Sequence, residues 1–478
     1  MVLYNPESMT ISTRGHSKRY SFSDAIIEGL APDGGLLVPE QYPVFSADDL
    51  ERMRGLEYQD LAFEVLRRFV SDIPLDHLYE MITKTYNKKN FGSDSIVELS
   101  KLDKNLFVED LSNGPAFAFK DIPLQFLGNV WEYELLRRDS YLNFFGASSG
   151  DTVSSAEEAV RSRARMNIFM LTPFGRMSPF QTAQSYSILD PNVFNIAVNG
   201  VFDTCQDLVK EIDENLEFKQ TYKLGAVNSI NWGRVAAQVV YYFKGYFDAT
   251  SSLDQQVDFA IPTGNFGDIF AGYIAKQMGL PIRRLILATN ENNVLDILFK
   301  NGIYRPRKRE DVIHTSSQSM DISKASNIER YLFDISGRNP SLLASWMEQL
   351  KTQGFLDLSN TSYFEAMRNS GIVSGSSFHQ DRISTIRQVY KDTGIIVDPH
   401  TADGIKIGLD YRDSDVPLIC LSTAKPIKFE ETIQEALGFV PERPAELRDL
   451  EQREQRYEVM DPVIGKIKEY IAKHAIRN

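Results

Sequence analysis

In the segment Asn113-Gly114-Pro115-Ala116-Phe117-Ala118-Phe119-Lys120-Asp121, one lysine sits among aromatic and aliphatic neighbours, and Ile122, Pro123, Leu124, Phe126 and Leu127 follow it. Packing of that kind takes water away from the ammonium and lowers its pKa toward the range where the amine is nucleophilic. Such an amine can form a Schiff base. The same pattern also suits a lysine whose stem covers apolar surface while its head reaches water beside Asp121.

Three further segments have strand-to-loop character with groups that could bind or react. Asp258 to Pro262, then Thr263-Gly264-Asn265-Phe266-Gly267-Asp268, then Ile269 to Ile274, reads as strand, glycine-containing turn and helix. Backbone N–H groups and a positive helix end would converge there on a small phosphate. The turn matches neither GxGxxG nor GxxxxGK[ST] and holds no Lys or Arg, so a dinucleotide or nucleoside triphosphate fits poorly; an unliganded tight turn is the plain alternative. Tyr141 to Thr152 repeats the strand–loop–helix pattern, and Gly146, Ser148 and Gly150 spell GxSxG, the hydrolase elbow. Ser154 with Glu157, or Ser155 with Glu158, has capping-box spacing, which predicts a helix starting close after the loop. A hydrolase triad would draw on Ser148, Asp398 and His400, but only Pro399 separates the last two, and two residues of one short loop rarely supply both imidazole and carboxylate. Finally, the apolar run Val416 to Leu421 ends in Ser422-Thr423-Ala424-Lys425, hydroxyls at a strand end where open α/β sheets bind ligands. The six histidines form no HExxH and no close pair, so no metal is expected.

The elements that must position these groups follow from the alternation of apolar runs with amphipathic stretches from about residue 105 onward, which predicts βαβ units and an α/β class. Residues 21 to 86 read as mainly helical, with apolar residues of Leu50 to Phe69 near helical spacing and a turn at Pro32-Asp33-Gly34-Gly35. Asn87 to Asp94 and the long, charged, Ser-rich stretch Tyr304 to Ser326 are boundary or functional-loop signals. Glu446 to Ile476 reads as a charged amphipathic helix.

Composition bounds the function. At ~150 residues per domain, 478 residues allow two to four domains. With 42% hydrophobic and 11% aromatic residues, the chain is expected to fold. Its 65 acidic against 52 basic side chains give −13, which disfavours nucleic acid as a partner. The basic cluster Arg305 to Arg309 runs directly into Glu310 and Asp311 and reads as a solvated loop. Cys205 and Cys420 are far apart, excluding a disulfide framework and suiting a reducing, cytoplasmic setting. No stretch approaches the ~18 apolar residues of a membrane span, and MVLYNPES lacks the pattern of a secretory signal.

Ile11-Ser12-Thr13-Arg14-Gly15, Gly29 to Leu36, Gly114 to Gln125, Ser149-Gly150-Asp151-Thr152, Gly175 to Pro179, Asn228 to Trp232, Gly264 to Asp268, Ser319 to Ile322 with Ser326-Asn327, and Asp398 to Ala402 occur in one order over nearly the whole chain. In these motifs the chain closely resembles the threonine synthase family, pyridoxal-phosphate enzymes of the tryptophan-synthase-β-like fold (fold type II). The resemblance implies two parallel-sheet α/β domains with a mainly helical N-terminal domain. The expected division is 1–95 for that domain, 96–139 with 211–430 for the large cofactor-binding domain, 140–210 for the small one, and 431–478 for a C-terminal helical segment.

The resemblance also implies roles. Lys120 is the Schiff-base lysine and later the acid/base; Gly264, Asn265, Phe266, Gly267 and Asp268 form the cofactor-phosphate loop; Thr423 is the hydroxyl partner of the pyridine nitrogen. Ser148, Ser149, Asp151 and Thr152 occupy the loop that holds the substrate's α-carboxylate, and Arg176, Ser178 and Asn327 are contacts to its phosphate. The implied cofactor is pyridoxal 5'-phosphate, and the implied reaction turns O-phospho-L-homoserine and water into L-threonine and phosphate, in a monomer or homodimer. Two positions depart from the family pattern: Lys425 stands where histidine is usual, and Val153-Ser154-Ser155 where a glycine and small residues are common. They leave open elimination to 2-oxobutyrate, ammonia and phosphate without threonine, beside the GxSxG hydrolase.

Overall fold

A computed structural model describes residues 8–93, 95–148 and 150–477; Ser149 and Asp94 of the expectations above lie outside the described residues. Two sheets organise the chain. The larger has six strands in the spatial order Ile372–Ser376, Ile282–Thr289, Val257–Pro262, Leu418–Ser422, Leu106–Asp110, Glu98–Asp103. All its pairings are parallel except the last, where Glu98–Asp103 runs antiparallel to Leu106–Asp110. The smaller has five parallel strands in the order Glu458–Met460, Val193–Val198, Met166–Pro173, Leu142–Ala147, Leu224–Ala226. It takes in Leu224–Ala226 and Glu458–Met460, which lie beyond the 140–210 span expected for a small domain.

Parallel strands covered on both faces must be apolar throughout rather than alternating. Val257–Pro262 and Met166–Pro173 are buried at every position. The helices Asp121–Arg137 and Trp232–Ala249 pack into the principal core, with Trp131, Trp232, Tyr241 and Tyr242 essentially inaccessible. N-terminal helices Phe22–Glu28, Ala47–Met53, Tyr58–Leu66 and Leu75–Thr85 join the same core. The helical spacing of Leu50 to Phe69 is interrupted at Gly55, whose φ of +83° turns the chain between two of these helices.

The C-terminal segment departs from expectation. Instead of one helix over 446–476 it forms two short 3₁₀ turns, the edge strand Glu458–Met460 and the helix Ile464–His474. The Asp461-Pro462 pair ends any helix before it, because proline forces the preceding residue out of the helical region. That leaves Glu458–Met460 to pair with Ile196–Val198. The helix after Leu142–Ala147 also starts earlier than its capping-box spacing predicts. It spans Asp151–Val160, with Ser154 and Ser155 buried inside it rather than capping it. No helix among the described residues is long and apolar enough to cross a membrane.

Candidate active site

Lys120 is the N-cap of the helix Asp121–Arg137. The turn before it is tied to the end of the strand Leu418–Ser422: the Phe119 N–H donates to the Thr423 carbonyl at 2.9 Å, and the Lys425 N–H to the Phe117 carbonyl at 3.1 Å. Phe117 holds a φ of +57° to make this turn, and Asp121 closes it by accepting from the Ala116 N–H at 2.8 Å. The Lys120 side chain is 13% exposed. Burial pushes its ammonium down to about 8, opposed by Asp151 and assisted by Lys428 and Arg234. A helix N-terminus adds to this, since its positive end disfavours a cation. Of the two sequence readings of Lys120, this environment favours the desolvated amine.

Asp151 lies 4.0 Å from the Lys120 Nζ and is the hub of the site. Lys428, fully buried, reaches its Oδ1 at 2.7 Å and also donates to the Ala116 carbonyl at 2.8 Å. Ser319 Oγ donates to its Oδ2 at 3.0 Å and Gln181 Nε2 to its Oδ1 at 3.3 Å. Burial alone would raise the Asp151 carboxyl; Lys428 and Lys120 hold it below the usual carboxylate range. Asp151 opens the first turn of its helix, with Thr152 half-buried behind it and Ser148 buried just before, Ser148 Oγ accepting from the Gly150 N–H at 3.3 Å.

The second loop runs from Val257–Pro262 into the helix Gly267–Gln277. Phe266 turns it with a φ of +65°. A Cβ on Gly264 would come within 3.2 Å of the Met320 Cα and 3.3 Å of the Ser319 carbonyl, so the 315–327 stretch roofs this loop closely. The Asn327 N–H donates to the Asn265 carbonyl at 3.0 Å, and Asn265 Nδ2 to Ser229 Oγ at 3.2 Å. Asp268 is turned into the core, where its carboxylate accepts from Tyr241 and Tyr242 at 2.6 and 2.8 Å.

Arg234, which the sequence reading missed, sits in the first turn of the helix Trp232–Ala249. It is 4% exposed, its Nη1 is shielded without a hydrogen-bond partner, and burial pulls it down to about 10 with no carboxylate compensating it. A buried guanidinium left unpaired is costly unless an anion comes to it. By contrast Arg176 is exposed and Ser178 caps the helix Pro179–Tyr186. Asn327 is buried and donates to the Ser229 carbonyl at 3.2 Å. Lys425 is occupied, donating to Asp110 at 2.5 Å and Asn113 at 2.7 Å.

The Asp398–His400 pair, of a kind that one short loop rarely supplies, does form. His400 Nδ1 lies 2.8 Å from Asp398 Oδ1, because the proline begins a helix, Pro399–Asp410, that folds the imidazole back over its cap. Its Nε2, however, accepts the Ser319 N–H at 3.0 Å rather than a serine hydroxyl.

The family descriptions "Threonine synthase N terminus" and "Threonine synthase, C-terminal" match residues 10–86 and 401–471. A threonine synthase from Methylobacillus glycogenes is 50% identical over 97% of this chain and 99% of its own. The chain belongs to the threonine synthase family. A second family member, from Corynebacterium glutamicum, is 48% identical over 91% of this chain and 92% of its own. A crystal structure of pyridoxal-phosphate-bound threonine synthase from Brucella melitensis superposes with a TM-score of 0.94 at 39% identity, covering 98% of this chain and all of that one. The fold is therefore the fold type II arrangement of this family.

The residues present fit the cofactor. A depressed amine, a glycine-lined loop closed by a helix N-terminus and a neutral hydroxyl at a strand end supply partners for an aldehyde, a phosphate and a ring nitrogen respectively.

Proposed function

We propose that this chain is a threonine synthase, converting O-phospho-L-homoserine and water to L-threonine and phosphate with pyridoxal 5'-phosphate as cofactor. Lys120 Nζ would hold the cofactor covalently; the backbone N–H groups of Gly264, Asn265, Phe266 and Gly267 would hold its phosphate, and Thr423 would face its ring nitrogen. When bound, the cofactor supplies an electron sink that makes the α and β protons of an amino acid removable. A hydroxyl beside the ring nitrogen, unlike a carboxylate, does not enforce a protonated ring.

The chain's own groups divide the remaining work. Lys120, near neutral pKa, takes and returns protons at the working pH, which is the condition for efficient general acid–base catalysis. Asp151, kept ionised by Lys428, fixes the position of that amine. Ser148, Thr152 and the start of the helix Asp151–Val160 receive the α-carboxylate. Arg234 clamps the leaving phosphate, with Asn327 as a further contact; its planar fork suits phosphate oxygens and its burial excludes competing water. Arg176 and Ser178 are the weaker candidates for phosphate contacts, since Arg176 is exposed and Ser178 is engaged as a helix cap.

The observation carrying this reading is Lys120, buried at the focus of Asp151, Lys428 and the unpaired Arg234. Incubating purified protein with O-phospho-L-homoserine and identifying the products tests it. Threonine and phosphate in equal amounts are expected; 2-oxobutyrate without threonine would reject it.

A further inference from the structure

The helices Val294–Asn301 and Pro340–Gln353 and the start of the long 304–327 stretch enclose an open groove of about 1490 Å³. Its rim carries Arg305, Arg307, Lys308, Lys324 and Lys351. None of these five makes an ion pair with a carboxylate among the described residues; Arg309, next in sequence, instead pairs with Asp203 and Asp207. In a chain of net charge −13, five unpaired cations on one concave face oppose the overall balance. Among the residues described as lining the groove, the carboxylates set against them are Asp311 and Glu348.

Two of the cations are already ordered. The Arg305 guanidinium lies 4.5 Å over the Phe355 ring. Arg307 donates to the Glu291 carbonyl at 2.8 Å and to Asn293 Oδ1 at 3.2 Å, while its Nε is shielded with no hydrogen-bond partner. Preordered guanidinium groups lose less freedom on binding an anion. Between the charges the wall is apolar, built from Ile297, Ile303, Ile313 and Met347.

We propose that this groove is a second ligand site, taking a small organic polyanion with an apolar or aromatic body, of the nucleoside diphosphate class. Arginine forks recognise phosphate oxygens bidentately. The volume exceeds the ~300–1,000 Å³ of ordinary small-molecule sites, leaving room for both a body and its anionic tail. The rim continues into the roof of the candidate active site: the Arg307 N–H donates to the Ser323 carbonyl at 3.0 Å, Ser319 reaches Asp151, and the Asn327 N–H reaches the Asn265 carbonyl. A ligand held by Arg305–Lys308 is therefore connected through these bonds to the same stretch that covers the cofactor-phosphate loop, which gives the two sites a physical route for coupling.

The test is isothermal titration of ADP, pyrophosphate and adenosine, each separately, into pyridoxal-phosphate-saturated protein, so that the first phosphate loop is filled. One saturable ADP site per chain is expected, tighter than either pyrophosphate or adenosine. Arg305→Ala with Lys351→Ala should weaken ADP about tenfold or more while cofactor absorbance and turnover stay unchanged. The proposal is overturned by no saturable ADP binding up to about 1 mM, by unchanged affinity in the double variant, or by pyrophosphate binding as tightly as ADP, which would show the apolar wall unused.

Discussion

Lys120 differs from a surface lysine by the company it keeps, and that difference is measurable. Its ammonium is held down to about 8, chiefly by burial. Only the neutral amine reacts with an aldehyde, so cofactor capture by the apoprotein should rise about tenfold per pH unit below pH 8 and level off above it; stopped-flow absorbance would show this. A lysine at its ordinary value would keep rising toward pH 10. Arg234 makes the second prediction. Arg234→Gln should lower kcat/KM for O-phospho-L-homoserine about a hundredfold while the bound-cofactor spectrum persists. At this scale the sequence was half legible. The aromatic density around Lys120 left two readings open, a desolvated amine and a lysine whose head reaches water, whereas Arg234 in Trp232-Gly233-Arg234 looks like any arginine on a helix. Its isolation from carboxylates is created only by tertiary packing.

Among the elements, the turn before Lys120 leaves the least room for change. A Cβ on Gly114 would fall 2.3 Å from the Asp121 Cβ, and Asp121 fixes the start of the lysine's helix. Gly114→Ala should destabilise the protein by about 1–3 kcal/mol through overpacking and weaken cofactor retention; thermal unfolding and dialysis against buffer would measure both. The strand–loop–helix order of both candidate loops was readable because apolar runs and glycine turns are local signals. The C-terminal strand Glu458–Met460 was not, since its charged residues mimic helix spacing and its pairing partner, Ile196–Val198, lies far back in the chain. The early start of the helix at Asp151 escaped for a related reason: Ser154, Ser155 and Glu157, which mimic a capping box, are buried inside it.

For the whole molecule, the two sheets meet at Asp151. This residue belongs to a helix following a strand of the smaller sheet, yet it is held by Lys428, Ser319 and Lys120 from elements around the larger one. Lys428→Met removes the buried counter-charge and should destabilise the protein by about 3–5 kcal/mol, with faster hydrogen exchange at both the Asp151 helix and the 315–327 stretch. Exchange unchanged at either place would show that the junction does not depend on this pair. No single motif announces such a junction, because its members come from distant parts of the chain, and the acidic total charge conceals it.

All three scales converge on one amine, and its covalent occupancy is the most direct measurement. Borohydride reduction of the cofactor-loaded protein, followed by peptide mass mapping, should place a single cofactor adduct on the peptide containing Lys120. An adduct on Lys428 or another lysine, or none at all in protein that has retained its cofactor, would contradict the account.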